Sequence, residues 1–453
     1  MNSFGIITLL PAALVLVVAI ITKRTTESLL VGCLVSYIII GGKNFIPIMN
    51  DAFFEVVSNS DNQWLLLVCG LFGSLIVLLN ASKGTHAIAR ALLKICKNEK
   101  STLLVSWLLG IIIFIDDYMN ILTISACMKK ISDKNKIPRE SLAYVIDSTG
   151  APVCVLLPFS TWAIFYANTF WEQESVHALN YGSAMSTYKH VIPYIFYAIV
   201  AVLIIPLYSL GVVPKFGPMK RAYERVKLTG NTYSDISKEL NLDVDDDDVN
   251  SNILDFLIPI GLLIIVTLVS DDVFISVIVA ILSCLILYVP RRKMTISKFC
   301  DLWIKGFADT IPALSILLAA LFMRKASADL NLPEYVIGLV QPYISAKTFP
   351  MITFLVVSLL AFVTGSNWGI PGVCVPIIIP LATVSGANLL LVMAAVVSGG
   401  VFSSHACFYS DATVITSSSC GIQNMEHATS QLPYALLSMA ISSILFLVFG
   451  MVM

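Results

Sequence analysis

Eight apolar runs, at 4–21, 28–42, 63–80, 190–211, 253–270, 273–289, 309–323 and 432–452, are long enough to cross a lipid bilayer or nearly so. A chain carrying them must satisfy its own backbone wherever it meets hydrocarbon, so it builds helices. Composition agrees: 57% of the residues are hydrophobic and 13% charged, against roughly 45–50% and about 25% in soluble domains. The net charge is −1 and no basic patch is interleaved with aromatics, so the expected partner is the bilayer and not nucleic acid. The ten cysteines are scattered, without C-x-x-C, and read as small buried hydrophobes rather than disulfides or a zinc site. The first run, Phe4–Ile21, lacks a basic start and is followed by Lys23 and Arg24. It reads as a retained membrane helix rather than a signal peptide.

Four further stretches are interrupted. Those at 101–131 and 349–383 break in the middle, and those at 141–170 and 387–420 carry polar residues and proline. Amphipathic pieces at 44–60, 86–97, 294–308 and 334–345 are expected to lie in the interface. The arms of 101–131 would be ~22 Å and ~16 Å long, too short for a ~30 Å core. Lys83, Arg90, Lys94, Lys97 and Lys100 precede this stretch; Lys129, Lys130, Lys134, Lys136 and Arg139 follow it. Positive residues gather on the cytoplasmic side, so both flanks are inside and the stretch is a re-entrant hairpin.

The same rule predicts an all-α polytopic membrane protein with about ten transmembrane helices and two re-entrant hairpins, both termini outside. Of the 28 Lys and Arg residues, only Lys43, Lys189, Arg324, Lys325 and Lys347 then fall outside. The layout repeats at an offset near 250. Phe4 matches Ile253, Asp51 matches Asp301, Asp116 matches Asn367, and Ser160 matches Asp411. This predicts a first inverted repeat over 1–211 with hairpin 101–131, a cytoplasmic linker over 212–252, and a second inverted repeat over 253–453 with hairpin 349–383. Five crossings per half invert the second half, an architecture of secondary transporters.

Four interruptions should meet near the bilayer centre: I-D-D-Y-M-N (115–120), T-G-S-N-W-G (364–369), the span from D-S-T-G-A-P (147–152) to P-F-S-T-W (158–162), and S-S-H-A-C-F-Y-S-D-A-T (403–413). Unwound backbone is tolerated there only inside protein or facing an aqueous cavity. Freed carbonyls, hydroxyls and carboxylates suit a hard cation such as sodium. Candidate ion or substrate ligands are Asp116, Asp117, Asn120, Asp147, Ser148, Thr149, Ser160, Thr161, Thr364, Ser366, Asn367, His405, Ser410, Asp411 and Thr413. Sodium itself is expected on Asp116, Asp117 and Asp411. A carboxylate at mid-membrane costs at least ~2.5–3.5 kcal/mol, which marks it as functional. Two adjacent carboxylates repel, so the pair should hold a proton or a sodium ion in alternation. The plainer reading is that they cap the returning arm; capping with one leaves the other available. His405 could carry a proton. The run L-D-V-D-D-D-D-V (242–249) lacks the glycine and glutamate of a calcium loop and reads as a solvated linker. No serine, aspartyl or H-E-x-x-H protease signature is present, so no enzyme activity is expected.

F-I-D-D-Y-M-N (114–120), I-P-R-E-S-L-A-Y-V-I-D-S-T-G-A-P-V-C-V (137–155), P-F-S-T-W, G-S-N-W-G (365–369), G-G-V-F-S-S-H-A-C-F-Y-S-D-A-T (399–413) and Q-L-P-Y-A-L (431–436) together resemble the NhaC-type sodium/proton antiporter family. The resemblance runs through most of the chain. It implies an ion-transporter fold, in which two hairpins and two unwound helices enclose the site, and often a homodimer. It supports Asp116, Asp117, Asn120, Asp147, Ser148, Thr149, Asn367, His405 and Asp411 as site residues. One departure is Ser404, where the family tends to place an acidic residue before the histidine. The implied activity is exchange of sodium for protons across the plasma membrane by alternating access, with no cofactor beyond the transported ions. The alternative is a sodium- or proton-coupled transporter of a small organic acid or amino acid.

Overall fold

The computed structural model describes residues 4–453 apart from 23, 85–94, 115, 159, 242–251, 271, 341–344, 366 and 368. The acidic run 242–249, most of the amphipathic piece at 86–97, the end of that at 334–345, and Ser366 therefore lie outside the described residues. Among those described, the secondary structure is all helical. The first half runs α1 (Leu10–Thr22), α2 (Thr25–Gly41), α3 (Phe45–Ser58), α4 (Ser60–Ala81), α5 (Glu99–Ile112), α6 (Asp117–Lys134), α7 (Arg139–Asp147), α8 (Ala151–Leu156), α9 (Thr161–Trp171), α10 (Glu174–His177), α11 (Ala184–Val191) and α12 (Phe196–Leu210). After α13 (Gly217–Thr229) come α14 (Leu254–Ser270), α15 (Val273–Tyr288), α16 (Ile296–Asp309), α17 (Ile311–Asp329) and α18 (Leu332–Val340). The chain ends with α19 (Phe349–Thr364), α20 (Gly369–Ser385), α21 (Leu389–Ala406), α22 (Asp411–Cys420) and α23 (Asn424–Val452).

Large apolar side chains stand exposed along these helices, among them Ile21 at 75%, Ile286 at 70% and Ile444 at 62%. Exposure on this scale needs hydrocarbon as solvent, and the chain is a multi-pass membrane protein. Among the described residues four helical stretches have the length and hydropathy of a crossing: Thr26–Ser58, Asn62–Ala81, Leu389–Cys420 and Asn424–Val452. Two bent pairs raise this to six. Other apolar helices, such as Val273–Tyr288 and Phe349–Thr364, are shorter.

Helices end where the sequence breaks. Helix α5 stops at Ile112 and α6 begins at Asp117; α19 turns through Gly365 in the left-handed region, and α20 begins at Gly369. The stretch 141–170 breaks twice, leaving α7, α8 and α9. Pro152 sits in the first turn of α8, where its missing N–H is no loss.

Helix starts recur at one spacing. Glu99 and Phe349, Arg139 and Leu389, and Thr161 and Asp411 each lie 250 residues apart. The caps repeat as well. Ser160 accepts from Ala163 N (3.0 Å) and donates back to Cys154 O (2.5 Å). Ser410 accepts from Thr413 N (3.3 Å) and donates to Ser404 O (2.7 Å). Ser160 and Ser410 thus cap their helices 250 residues apart, with Thr161 and Asp411 as the first helical residues. Packing follows the same exchange. Helix α4 lies on α16 as α17 lies on α3, α2 on α17 as α15 on α4, and α7 on α23 as α21 on α12.

Helices α4 and α16 approach to backbone contact. A Cβ added at Gly73 would fall 2.5 Å from Gly306 O, and one at Gly306 would fall 2.5 Å from Ser74 Cα. Ser74 Oγ donates to Trp303 O across this seam at 2.8 Å. A second close approach holds α5 against the break after α7, where a Cβ at Gly110 would meet Thr149 Cβ at 2.4 Å. Overpacking of this kind costs about 1–3 kcal/mol. Gly110→Ala should therefore lower the unfolding midpoint of the detergent-purified protein by that equivalent, whereas Gly338→Ala, which meets nothing within 4 Å, should be far milder.

Candidate functional site

The first turn of α6 divides its two aspartates between two tasks. Asp116 is the N-cap, and its Oδ1 accepts from Met119 N at 3.1 Å. Asp117, the first helical residue, is fully buried, and among the described residues neither carboxyl oxygen has a partner in full hydrogen-bond geometry, the Trp162 indole being the nearby donor. The polar groups close enough to act on it are the Asp116 and Asp411 carboxyls and the Trp162 indole. Gly150 borders it, since a Cβ there would lie 3.6 Å from Asp117 Cβ. One turn on, Asn120 gives its amide nitrogen to Gly110 O (2.7 Å), Ile113 O (2.6 Å) and Thr149 O (3.2 Å), and its Oδ1 stays unmatched. Three acceptor oxygens, two from Asp117 and one from Asn120, thus share one stretch of helix without a hydrogen-bond partner among the described residues. A buried carboxylate without donors is strongly unfavourable, and a proton or a hard cation relieves it.

Asp411, at the start of α22, is by contrast fully engaged. Tyr118 donates to Oδ2 at 2.6 Å, Asn367 Nδ2 to Oδ1 at 2.8 Å, and the following Ala412 N to Oδ1 at 2.8 Å. The nearby positive charge of Arg324 acts on it as well. Asp411 therefore ties α6, Asn367 and α22 together. Among the described residues no three His, Cys, Asp or Glu side chains are grouped to hold a metal by themselves. Thr364 turns its hydroxyl onto its own helix at Leu360 O (2.8 Å). Ser366 lies outside the described residues, and nothing is described of the Thr161 side chain.

Asp147 ends α7 inside a third cluster. Its Oδ2 accepts from His427 Nε2 (3.0 Å) and Gln431 Nε2 (2.7 Å), with Thr413 Oγ1 at 3.4 Å. Gln431 also reaches His405 O at 2.6 Å. His405 has both ring nitrogens matched. Ser148 donates its hydroxyl to Tyr144 O (2.6 Å), so it accepts from His405 Nε2 (2.8 Å), and Tyr197 then donates to Nδ1 (2.8 Å). A neutral imidazole, protonated on Nε2, satisfies this network, the tautomer being assigned from the partners. His405 thus positions α21 against the broken helix. Thr149 hydrogen-bonds Val145 O at 3.0 Å, while Ser160 and Ser410 serve as caps.

Sequence reasoning passed over Tyr118, His427 and Gln431. Tyr118 lay inside a quoted motif, and a histidine with a glutamine four residues on in an otherwise apolar helix was the available signal.

The sequence model of the Na+/H+ antiporter family matches residues 176–451. An "Uncharacterized protein" of Haemophilus influenzae is 26% identical over 99% of this chain and 91% of its own length. A malate-2H+/Na+-lactate antiporter of Bacillus subtilis is 30% identical over 108 residues, 24% of this chain and 23% of that protein. Among solved structures, Neisseria gonorrhoeae MtrF, described as illuminating a class of antimetabolite efflux pumps, aligns with a TM-score of 0.39 and 13% identity, covering 88% of this chain and 82% of its own. With the family model matching more than half of its length, this chain belongs to the Na+/H+ antiporter family.

Proposed function

We propose that the protein is a secondary antiporter exchanging sodium for protons by alternating access, with Asp117 as the carboxylate that binds either ion. The observation that carries this reading is the difference between the buried acids. Asp116, Asp147 and Asp411 accept hydrogen bonds from Met119, Gln431 and Tyr118, whereas Asp117 has no partner in full hydrogen-bond geometry among the described residues. Asn120 Oδ1 supplies a neutral oxygen beside it, and carbonyls of the neighbouring breaks complete a hard-cation shell. Binding either ion cancels the same buried charge, so the two exclude one another.

The surrounding architecture is two inverted repeats with about ten crossings and hairpins at 101–131 and 349–383. The 250-residue spacing of helix starts and serine caps supports it. The protein sits in the cell membrane with both termini outside, as the lysine and arginine bias indicates, and works as a homodimer. A second reading, coupling to a small organic acid, draws on the relative named for malate and lactate. It also draws on a cavity of about 280 Å³ lined by Arg324, Lys325 and Asn62 at the start of α20.

In proteoliposomes containing a pH-sensitive dye, sodium alone should collapse an imposed proton gradient. Asp117→Asn should slow this by about 100-fold, equivalent to ~2.7 kcal/mol. Asp116→Asn, which keeps a capping oxygen, should retain exchange. Equal activity in wild type and Asp117→Asn would sink the assignment, and a response only on adding malate, lactate or an amino acid would move the protein to the second reading. Because one proton competes with one sodium, the apparent KM for sodium should rise as pH falls, by up to about tenfold per unit. A KM independent of pH would exclude a shared site.

A further inference from the structure

Helix α12 ends at Gly211, whose φ of 85° turns the chain out of the apolar layer toward α13. This elbow and the end of α6 border an open recess of about 610 Å³ lined by Lys136, Lys215, Lys220, Tyr223, Glu224 and Lys227. Four ammonium groups share it with one carboxylate. Glu224 is paired with Lys220 at 4.0 Å, and Glu99 beside the cavity holds Lys215 at 3.5 Å. Lys136 and Lys227 have no acidic partner among the described residues. Positive charge is therefore in surplus around a concave space, where an anion would be met from several sides.

Lys215 is fixed in place. Its Nζ stands 3.3 Å from the centroid of the Tyr208 ring and 4.7 Å from that of Tyr223. Burial pulls it down to about 8 from the ordinary lysine value, against the opposing pull of Glu99. An anion in the cavity would keep it protonated.

Immediately before the cavity, Leu203, Leu207, Leu210 and Val212 stand exposed on the side of α12 and its elbow. A basic recess thus adjoins an apolar face that only hydrocarbon covers. A molecule with a phosphate at one end and acyl chains at the other matches both parts. We propose that this cavity binds the phosphate of an anionic phospholipid headgroup, with Lys215, Lys220 and Lys227 as its ligands and the acyl chains along α12. The site is independent of the ion-exchange reading; only the leaflet, cytoplasmic, depends on the proposed orientation.

Purified protein in mixed micelles would be titrated with phosphatidylglycerol, phosphatidylcholine, glycerol phosphate and inorganic phosphate, reading bound lipid by native mass spectrometry and protection by thermal unfolding. Phosphatidylglycerol should be retained and phosphatidylcholine lost. The combined Lys215→Gln, Lys220→Gln, Lys227→Gln variant should weaken retention by about 100-fold, from roughly fivefold per lysine. Lys43→Gln, Lys97→Gln and Lys298→Gln together remove the same charge elsewhere and should change it little. Lys220→Gln with Lys227→Gln leaves the Lys215 ring contacts intact and covers the case of a poorly folded triple variant. Retention should fall as pH rises through about 8, where Lys215 loses its proton. Equal retention in the cavity and control variants, or equal retention of the two lipids, would overturn the proposal. Protection by glycerol phosphate or inorganic phosphate as strong as by the lipid would overturn the lipid as the source.

Discussion

The carboxamide of Asn120 is the contact on which the centre of this molecule depends. Its nitrogen reaches two late carbonyls of the α5 end and one carbonyl of the break after α7. Helix ends leave such carbonyls without partners, and each one left unmatched in a buried place costs about 1–3 kcal/mol. The two N–H hydrogens of one side chain are shared among the three. The hairpin end and the broken helix can then meet at close range, which the absence of a side chain at Gly110 also requires.

Around that joint the buried acids are treated unequally. Asp147 gathers donors from α23, and Asp411 gathers them from α6 and Asn367. These carboxylates act as fasteners between elements far apart in the chain. Asp117 sits on the same helix turn as the joint, and among the described residues no group in full hydrogen-bond geometry meets its carboxyl.

The sequence showed where helices stop, because polar residues and prolines inside apolar runs are local signals. It also showed that the Asp116–Asp117 pair could divide capping from binding, though not which residue did which; that depends on whether Met119 N faces one carboxyl or the other. It did not show Asp147 with His427 and Gln431, whose partners lie 280 and 284 residues away. His405 stood out through its motif, yet Ser148 and Tyr197 occupy its two nitrogens, and only their placement on other helices reveals this. That Ser160 and Ser410 are both caps could not be read from sequence, because a cap is recognised by the N–H whose hydrogen bond it accepts rather than by its neighbours in the chain.

The seam between α4 and α16 has a consequence for how the two halves stay together. Helices in lipid gain no hydrophobic energy by touching, since hydrocarbon surrounds them either way; close van der Waals contact has to hold them. At Gly73 and Gly306 main chain lies directly on main chain, leaving no gap between the helices for another group. The Phe307 ring packs on Gly70 and the Thr310 methyl on Gly73 along the same line, so an acyl chain has no room to wedge in. The seam behaves as a weld, and whatever moves during a transport cycle has to move around it.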